Sequence, residues 1–413
     1  MLFLLALNGS STVKLAIRVK QKLLSYKSIF YACWTLFTKI YPRYDTAYYL
    51  AEVEKMLNCG TDLGGFALFG CCRCGKGRHK IFFSCKSNAC LKCAKRYGRE
   101  AMERITSKLF LGISYRQVVL TLPEQLRGPF YNHSNKDKIY SDFMRLAHYC
   151  LQDVIRQMFR NDQLNVAVIA FIHTNSRNGT YNPHLHVILG EGAFNPLTSE
   201  WLSFSKLPLQ LLRKKWQYYL LTMVKANFPE RKELVDMLWR GHPDGFYTHP
   251  GNDKKVPTKN YRALIRYLTK YLSSPPIGLS RLDDFDGQKV SYRFNSHHTG
   301  QVEGETILAL DFIGRMVQHI LPKNFHRVRY YGLQATTRFK KHFELIAKSA
   351  GDMVDAMISY VRRLTYAQLF EEVAKRNPLQ CSFCGSLMEL WQLYRPSKGV
   401  FYDIFDPPRK KVR

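Results

Sequence analysis

The sequence is short of acidic residues and of long apolar runs, and both shortages narrow the class of protein. Its 413 residues hold 32 Asp and Glu against 62 Lys and Arg, which gives a formal net charge of +30. Such an excess of positive charge favours a polyanionic partner, most commonly nucleic acid. No run approaches the ~20 apolar residues of a membrane-spanning helix, and the apolar start at residues 1–7 is too short for a secretory signal. We therefore expect a soluble, cytoplasmic protein with no membrane partner.

Further absences limit the architecture and the chemistry. The chain has no phosphate-binding loop of the GxxxxGK[ST] type, so a helicase motor is not indicated. It also has no internal repeat and no low-complexity linker. With 46% hydrophobic residues it can bury substantial cores. Its length is typical of two or three domains.

The cysteines are clustered in a way that favours metal binding over disulfides. Six of the 11 lie between positions 71 and 93, and in a reducing compartment such a cluster is typical of zinc ligands. Cys71 and Cys74 form one C-x2-C knuckle and Cys90 and Cys93 a second, fifteen residues later. Two knuckles at this spacing can close one tetrahedral structural zinc site. Further candidate ligands are Cys59, Cys72, His79 and Cys85, so a second zinc ion or a different pairing stays open.

An isolated knuckle lies near the end of the chain. Cys381 and Cys384 have the C-x2-C spacing, but two thiolates do not complete a tetrahedral site and no second pair follows them. A turn with two thiols and partial zinc binding are both open interpretations. Basic residues flank the first cysteine-rich segment, for which DNA contact is the natural role.

Residue patterns predict an α+β fold. Runs rich in β-branched residues predict strands, and helical periodicity predicts the helices that alternate with them. The predicted strands cover residues 116–122, 164–174 and 184–189, and the predicted helical regions cover 1–58, 140–160, 198–240 and 260–273. This order favours a sheet covered by helices.

Three histidines can converge on the middle of that sheet. His184 and His186 are two residues apart on a predicted strand, so both side chains point to one face while their apolar neighbours face the core. Asn178-Gly179 upstream is a hairpin-turn dipeptide. A turn centred there places His173 opposite His184 on the same side. We therefore predict a divalent cation held by three imidazoles, although a His-x-His pair on a strand is often without function.

Two tyrosines share one side of a predicted helix. Tyr267 and Tyr271 are four residues apart within the region 260–273, and this spacing stacks two side chains on one helix face. They lie on the shoulder of an apolar stripe, from which two phenols could reach a cleft. A phenol is a poor nucleophile unless a metal ion or a cationic surface stabilises the developing charge. The alternative is a pair of ordinary tyrosines at a core boundary.

Basic residues near the tyrosines and farther along the chain are candidate DNA contacts. These candidates are Arg266, Lys270, Arg327 and Arg329. The last two precede Tyr330 and Tyr331, and such a mixture of charge and aromatic rings is typical of grooves that bind single strands. A solvated sheet edge is the alternative.

In combination, these motifs resemble rolling-circle insertion-sequence transposases of the IS91 type, members of the HUH endonuclease superfamily. The resemblance covers most of the chain, from about Cys59 to Cys384. It rests on the cysteine-rich segment and on residues 118–124, 183–186, 267–277, 320–333 and 378–385. The second knuckle departs from the family pattern, because Leu91 stands where a proline often follows the first cysteine.

The resemblance implies a fold, a reaction and a set of ligands. A small zinc-binding domain would precede an HUH endonuclease domain with an antiparallel central sheet and flanking helices. The enzyme would nick and rejoin single-stranded DNA at transposon ends and targets through a 5′-phosphotyrosine on Tyr271 or Tyr267. His184, His186 and His173 would hold catalytic Mg²⁺ or Mn²⁺, and zinc would be structural. From the residues alone the ion at the histidines stays open, because imidazole equally suits Zn²⁺.

The residue patterns and this resemblance together suggest a division of the chain into four consecutive segments. They are a helical basic segment (1–58), a zinc-binding DNA-recognition domain (59–112), the catalytic domain (113–300), and a C-terminal region with the isolated knuckle and a basic tail (301–413).

Two alternatives to the transposase function stay open. One is a plasmid replication initiator or relaxase of the same superfamily, and the other is a zinc-dependent DNA-binding protein without catalysis.

Overall fold

The computed structural model describes residues 11–94, 97, 104–105, 108–110, 113–249, 275–296, 299–350 and 377–406. The chain divides into two compact units, each assembled from separated stretches of sequence. The cysteine unit combines residues 1–94, 277–317 and 362–413, and the histidine unit combines 95–276 and 318–361. The predicted helix at 260–273, with its two tyrosines, and the basic tail at 409–413 lie outside the described residues.

Helices and strands alternate along most of the described chain. The helices are α1 (Ser11–Ile40), α2 (Ala47–Leu57), α3 (Glu124–Asn132), α4 (Lys136–Phe159), α5 (Leu209–Asn227), α6 (Lys232–Gly241), α7 (Ala309–Val317) and α8 (Thr336–Ala350). The strands are β1 (Phe66–Gly70), β2 (Arg78–Phe82), β3 (Tyr115–Thr121), β4 (Asn165–Asn175), β5 (Tyr181–Asn195), β6 (Glu200–Ser203), β7 (Thr248–His249), β8 (Leu282–Phe285), β9 (Lys289–Asn295), β10 (Val302–Leu308), β11 (Val328–Gly332), β12 (Glu389–Arg395) and β13 (Gly399–Asp403). Among the described residues, no helix combines the length and the apolar character needed to cross a membrane.

The cysteine unit contains two antiparallel sheets. One has the strand order β13-β12-β1-β2 and the other the order β10-β9-β8. In the first, β12 pairs with β1 so that Tyr394 lies opposite Phe66. The C-terminal strands β12 and β13 therefore complete a sheet whose other two strands, β1 and β2, lie in the first hundred residues. This pairing explains why the compact units differ from the four consecutive segments expected from the sequence.

The histidine unit is built on one antiparallel sheet of six strands. Its order is β11-β4-β5-β3-β7, and β6 pairs with the far end of β5. One face packs against α4 and α5, where Phe143 and Trp216 are fully buried. The other face packs against residues 105–110 and α8. The predicted antiparallel sheet with flanking helices is confirmed.

Local signals explain the bounds of α4, the helix that covers the sheet. The side chain of Asn135 accepts a hydrogen bond of 2.9 Å from the backbone N–H of Lys138, which satisfies one free donor of the first turn. At the other end Arg160 takes a left-handed conformation with a φ of +52°. Twelve residues of the helix are buried, because its apolar side chains recur on the face that meets the sheet.

The predicted strands agree with β3, β4 and β5, but the predicted helical region 198–240 is partly wrong. It begins with the strand β6, and its helices cover residues 209–227 and 232–241. The strand forms because β5 continues to Asn195, and its extended end pairs with β6, Ala193 lying opposite Leu202. The indole of Trp201 packs against the core on the α8 face.

Candidate metal centres

A tight hairpin between β4 and β5 positions three histidines. The backbone N–H of Ser176 donates to the carbonyl of Thr180 over 2.9 Å, and Gly179 takes a φ of +82° that favours glycine. In the resulting register His173 pairs with His184. The predicted alignment of these two residues is therefore confirmed.

The three imidazoles converge on one face of the sheet. The ring centroids of His173 and His186 are 4.5 Å apart, and those of His184 and His186 are 4.9 Å apart. One ligand nitrogen from each residue lies within 4.8 Å of the other two. Phe171 stacks on His186 at 5.5 Å and closes the apolar side of the cluster. The arrangement can bind a divalent cation while part of its coordination shell stays open.

Hydrogen bonds to the rings decide which nitrogen can bind a metal ion. Nδ1 of His184 donates to the carbonyl of Asn182 over 2.8 Å, which leaves Nε2 with a free lone pair. The side-chain nitrogen of Gln117 lies 2.6 Å from Nδ1 of His186. A half-turn of that amide would present its oxygen to the protonated Nδ1 instead. Nε2 of His186 would then be available as a ligand as well.

Burial keeps these imidazoles neutral. Burial, together with the smaller effect of the neighbouring His184, lowers the pKa of His186 to about 3. The pKa of His184 is also lowered, first by burial and then by the positive charge of Arg127, although the Asn182 carbonyl acts in the opposite direction. Only a neutral imidazole can donate a lone pair to a metal ion. Both rings are therefore ready for a cation at neutral pH.

Sequence reasoning missed two residues beside the histidines. Gln117 lies on β3 opposite Ile188 and shares the face of His186. The period of two along this strand was a usable signal, because Gln117 is polar where the alternating pattern points toward the histidine face. Arg127 is on α3, with its side chain 32% exposed. The chain offers no periodic signal that relates Arg127 to His184, since the two lie on different elements.

Four cysteines form one cluster beside α1 and α2. Its members are Cys59, Cys85, Cys90 and Cys93. The sulfur of Cys93 lies 3.5 Å from that of Cys59 and 3.6 Å from that of Cys85. The loop that carries them is fixed by Tyr26, whose hydroxyl donates to the carbonyl of Ala89 over 3.1 Å. Side-chain hydrogen bonds from Cys85 and Cys90 lower the pKa of Cys59 to about 7, and the same hydrogen bonds raise the pKa of Cys85 and Cys90.

A second cluster combines the first knuckle with the isolated one. Its members are Cys71, Cys74, Cys381 and Cys384. The structure therefore does not bring the two predicted halves of a single site together, because Cys71 and Cys74 lie in one cluster and Cys90 and Cys93 in the other. Cys381 and Cys384, which no second pair follows in the sequence, therefore lie beside a pair that precedes them by about 300 residues. The reason is the pairing of β1 with β12, which places the distant knuckle beside the first.

The remaining predicted site residues either lie outside the three described clusters or fall outside the described residues. Cys72 is exposed, and its sulfur accepts a hydrogen bond from the indole N–H of Trp391 over 3.4 Å. Neither Cys72 nor His79 belongs to a described cysteine cluster. Arg327 is exposed. Arg329 points to the α4 face of the sheet, opposite the histidines, and donates to the hydroxyl of Ser141 over 2.7 Å. Tyr267, Tyr271, Arg266 and Lys270 lie outside the described residues.

Comparisons with known proteins agree with this architecture. The family described as "Putative transposase" matches residues 167–342, and the family described as "Transposase zinc-binding domain" matches residues 29–122. The chain is 27% identical over 81% of its length to "Transposase for insertion sequence element IS801" from Pseudomonas savastanoi pv. phaseolicola, covering 82% of that protein. It is 24% identical over 85% of its length to "Putative transposase y4qJ" from Sinorhizobium fredii, covering 89% of that protein. No solved structure matches the chain.

The first match spans the histidine hairpin and the second spans both N-terminal knuckles. The family matches and these relatives thus indicate a transposase, a DNA-cleaving enzyme, that carries its own zinc-binding domain. More narrowly, the chain is similar to the transposases of the IS91 type. The family match and the cysteine clusters together support structural zinc.

Proposed function

We propose that this transposase cleaves and rejoins single-stranded DNA at transposon ends and targets through a 5′-phosphotyrosine, as in rolling-circle transposition. The observation that carries the proposal is the convergence of His173, His184 and His186 on one face of the central sheet, with ligand nitrogens within 4.8 Å. Tyr271 or Tyr267 would supply the attacking phenol. The two tyrosines lie outside the described residues, so their role rests on the sequence motif.

The histidine cluster fits a divalent cation, for which Mg²⁺ and Mn²⁺ are the candidates. Burial holds the pKa of His186 at about 3, and the Asn182 carbonyl orients His184. A cation bound there would neutralise negative charge that develops on the scissile phosphate. Arg127 adds a positive charge near His184 and would contact the same phosphate through its planar guanidinium.

The reaction needs no nucleotide cofactor. The tyrosine oxygen would form a bond to phosphorus while the bond from phosphorus to the 3′ oxygen breaks. The phenol proton would pass to water, and the released 3′ oxygen would take up a proton. Because one phosphoester bond replaces another, its energy is kept for rejoining. A second tyrosine four residues away could accept a second strand while the first ester persists.

The path of the chain supports a meeting of the tyrosine segment with the histidines. Val119 on β3 pairs with His186 on one side and with His249 on the other. His249 therefore lies on the histidine face, roughly 10 Å from His186 at the usual strand spacing. Tyr267 follows eighteen residues later. A chain of that length can return to the same face.

A covalent-adduct assay tests the proposal. The purified full chain is incubated with single-stranded transposon-end DNA and Mn²⁺, and the products are separated under denaturing conditions. We expect a protein–DNA adduct that is lost in the Tyr267→Phe/Tyr271→Phe double variant and in His186→Ala. The matched control Tyr247→Phe should keep the adduct, because Tyr247 is an exposed tyrosine of the histidine unit outside the motif.

The same assay separates the alternatives. DNA binding without any adduct would indicate a zinc-dependent binding protein. An adduct that forms on plasmid origin sequences and not on transposon ends would indicate a replication initiator or relaxase. Either result would overturn the proposal.

A further inference from the structure

We propose that Cys71, Cys74, Cys381 and Cys384 form a second structural zinc centre, which joins the C-terminal hairpin of β12 and β13 to the zinc-binding domain. The match to that domain ends at residue 122 and so contains only half of these ligands. The inference is independent of the proposed DNA chemistry, because it concerns metal content and folding alone.

The sulfur positions fit a tetrahedral ion. Cys71 and Cys384 have sulfurs 3.4 Å apart, and Cys74 and Cys381 have sulfurs 3.6 Å apart. A tetrahedron with zinc–sulfur bonds of about 2.3 Å has edges of roughly 3.8 Å. A disulfide would need sulfurs about 2.05 Å apart. All four sulfurs lie within 4.8 Å of one another, as do the four of the cluster beside α1 and α2.

The two knuckles have matching backbones although they are far apart in sequence. Gly75 donates its backbone N–H to the carbonyl of Cys71 over 2.9 Å, and Gly385 donates to the carbonyl of Cys381 over the same distance. Both glycines take left-handed conformations, with φ of +68° and +73°. The sequence C-x2-C-G therefore builds the same turn twice. Each turn presents two thiols to a common centre.

Backbone N–H groups point at the sulfurs, as a thiolate site requires. The backbone N–H of Ser386 and its hydroxyl donate hydrogen bonds to the sulfur of Cys384. The backbone N–H groups of Lys76 and Gly77 donate to the sulfur of Cys74. Hydrogen bonds of this kind stabilise the charged sulfur and tune its affinity for a metal ion.

Close packing holds the knuckles together. A Cβ atom added to Gly77 would lie 2.4 Å from the sulfur of Cys381, so only glycine fits there. Cys71, Cys381 and Met388 form a small buried cluster, with Cys74, Cys384 and Phe69 packed against it. The sulfur ligands are thus also the core of this part of the unit.

The C-terminal hairpin needs such a centre because its apolar core is small. Among residues 377–406, which the structure describes, the buried hydrophobic residues are Cys381 and Met388. Phe383, Leu387 and Phe405 are about two-thirds exposed. A segment with so little buried surface is usually stabilised by a metal ion or a disulfide. We infer that zinc holds β12 against β1.

Zinc content of the purified full chain tests the second centre. We expect two zinc ions per chain in the unchanged protein and one in Cys381→Ser/Cys384→Ser. The variant Cys59→Ser/Cys93→Ser should lose the other ion. The matched control Cys72→Ser should keep both, because Cys72 lies within the first knuckle but belongs to neither described cluster.

A second measurement on the unchanged protein guards against variants that fail to fold. Stepwise chelation should release the two ions separately, and the amide protons of residues 389–395 should lose protection from exchange together with one of them. One zinc ion per chain in the unchanged protein would overturn the proposal. So would full zinc content in Cys381→Ser/Cys384→Ser, or a disulfide between two of the four cysteines.

Discussion

The side-chain amide of Gln117 lies 2.6 Å from Nδ1 of His186, on the strand next to it. With the amide turned so that its oxygen accepts from the protonated Nδ1, Gln117 would hold the ring with Nε2 toward the cation. We predict that Gln117→Leu weakens Mn²⁺ binding about tenfold or more, the usual cost of losing such a support. Mn²⁺ titration followed by electron paramagnetic resonance measures the affinity.

Two controls make the Gln117 prediction specific. Gln117→Glu keeps an oxygen that can accept from Nδ1, so it should retain most of the affinity. Gln217→Leu removes a buried amide on α5 that donates to the carbonyls of Leu238 and Trp239 over 3.3 Å. This variant should lower stability and leave Mn²⁺ affinity unchanged. Equal losses in both leucine variants would show that Gln117 has only a structural role.

Each imidazole of the cluster should matter for cation binding. Replacing His173, His184 or His186 by Ala removes one of the three nitrogens that lie within 4.8 Å of one another. We predict at least a tenfold loss of Mn²⁺ affinity in each variant, measured by calorimetry. His342→Ala is the matched control, because His342 is a half-buried residue of α8 in the same unit and belongs to none of the described ligand clusters. An unchanged affinity in any of the first three variants would remove that histidine from the ligand set.

The stability of the histidine unit should fall in mildly acidic solution. Burial lowers the pKa of His319 to about 4, with the charge of Arg327 adding to the effect. Its Nε2–H donates to the carbonyl of Gly179 over 2.8 Å, so the neutral ring holds the β4–β5 turn. Below pH 6.5 the unfolded chain takes up a proton that the folded chain resists. The free energy of unfolding should therefore drop by up to about 3 kcal/mol between pH 6.5 and 4.

His148 should contribute a similar dependence, because burial lowers its pKa to about 4 as well. Chemical denaturation at several pH values should therefore show a slope that is reduced, not abolished, in His319→Gln. Above pH 6.5 neither histidine contributes to the slope. A variant whose slope equals that of the unchanged protein would contradict the assignment.

Gly332 should tolerate no side chain. It has a φ of +59°, and an added Cβ would lie 2.1 Å from the carbonyl oxygen of Val166. That carbonyl accepts from the N–H of Leu333 over 2.9 Å, which anchors the end of β11. We predict that Gly332→Ala lowers the free energy of unfolding by about 2 kcal/mol or more. Gly128→Ala on α3 meets nothing within 4 Å and should be neutral or slightly stabilising in the same denaturation experiment.

The sequence was sufficient for the histidine hairpin because its signals are local. A period of two fixes the face of His184 and His186, and the Asn178-Gly179 turn fixes the register of His173. Both signals lie within fourteen consecutive residues. The antiparallel sheet followed from similar local patterns. Three further strands of this sheet, β6, β7 and β11, were not predicted, and β6 depends on the extension of β5 to Asn195.

The zinc pairing could not be predicted because it depends on contacts between distant residues. Within the segment 71–93 the two knuckles have the spacing of one zinc site. Which pair of cysteines lies beside Cys71 and Cys74 depends on the pairing of β1 with β12. Cys71 and Cys384 are 313 positions apart in the sequence. Charge and aromatic content also did not indicate which face of the sheet Arg329 takes, and the register of β11 places its side chain on the α4 face. In each case the missing information was the position of another element.

Mass spectrometry of the trapped adduct tests the central claim most directly. The full chain is incubated with single-stranded transposon-end DNA and Mn²⁺, digested with protease and nuclease, and searched for peptides that carry a nucleotide. The account predicts a 5′-phosphate joined to Tyr267 or Tyr271, and no modified peptide in His186→Ala. Cleaved DNA with no attached peptide, or a nucleotide on a residue other than these two tyrosines, would contradict it.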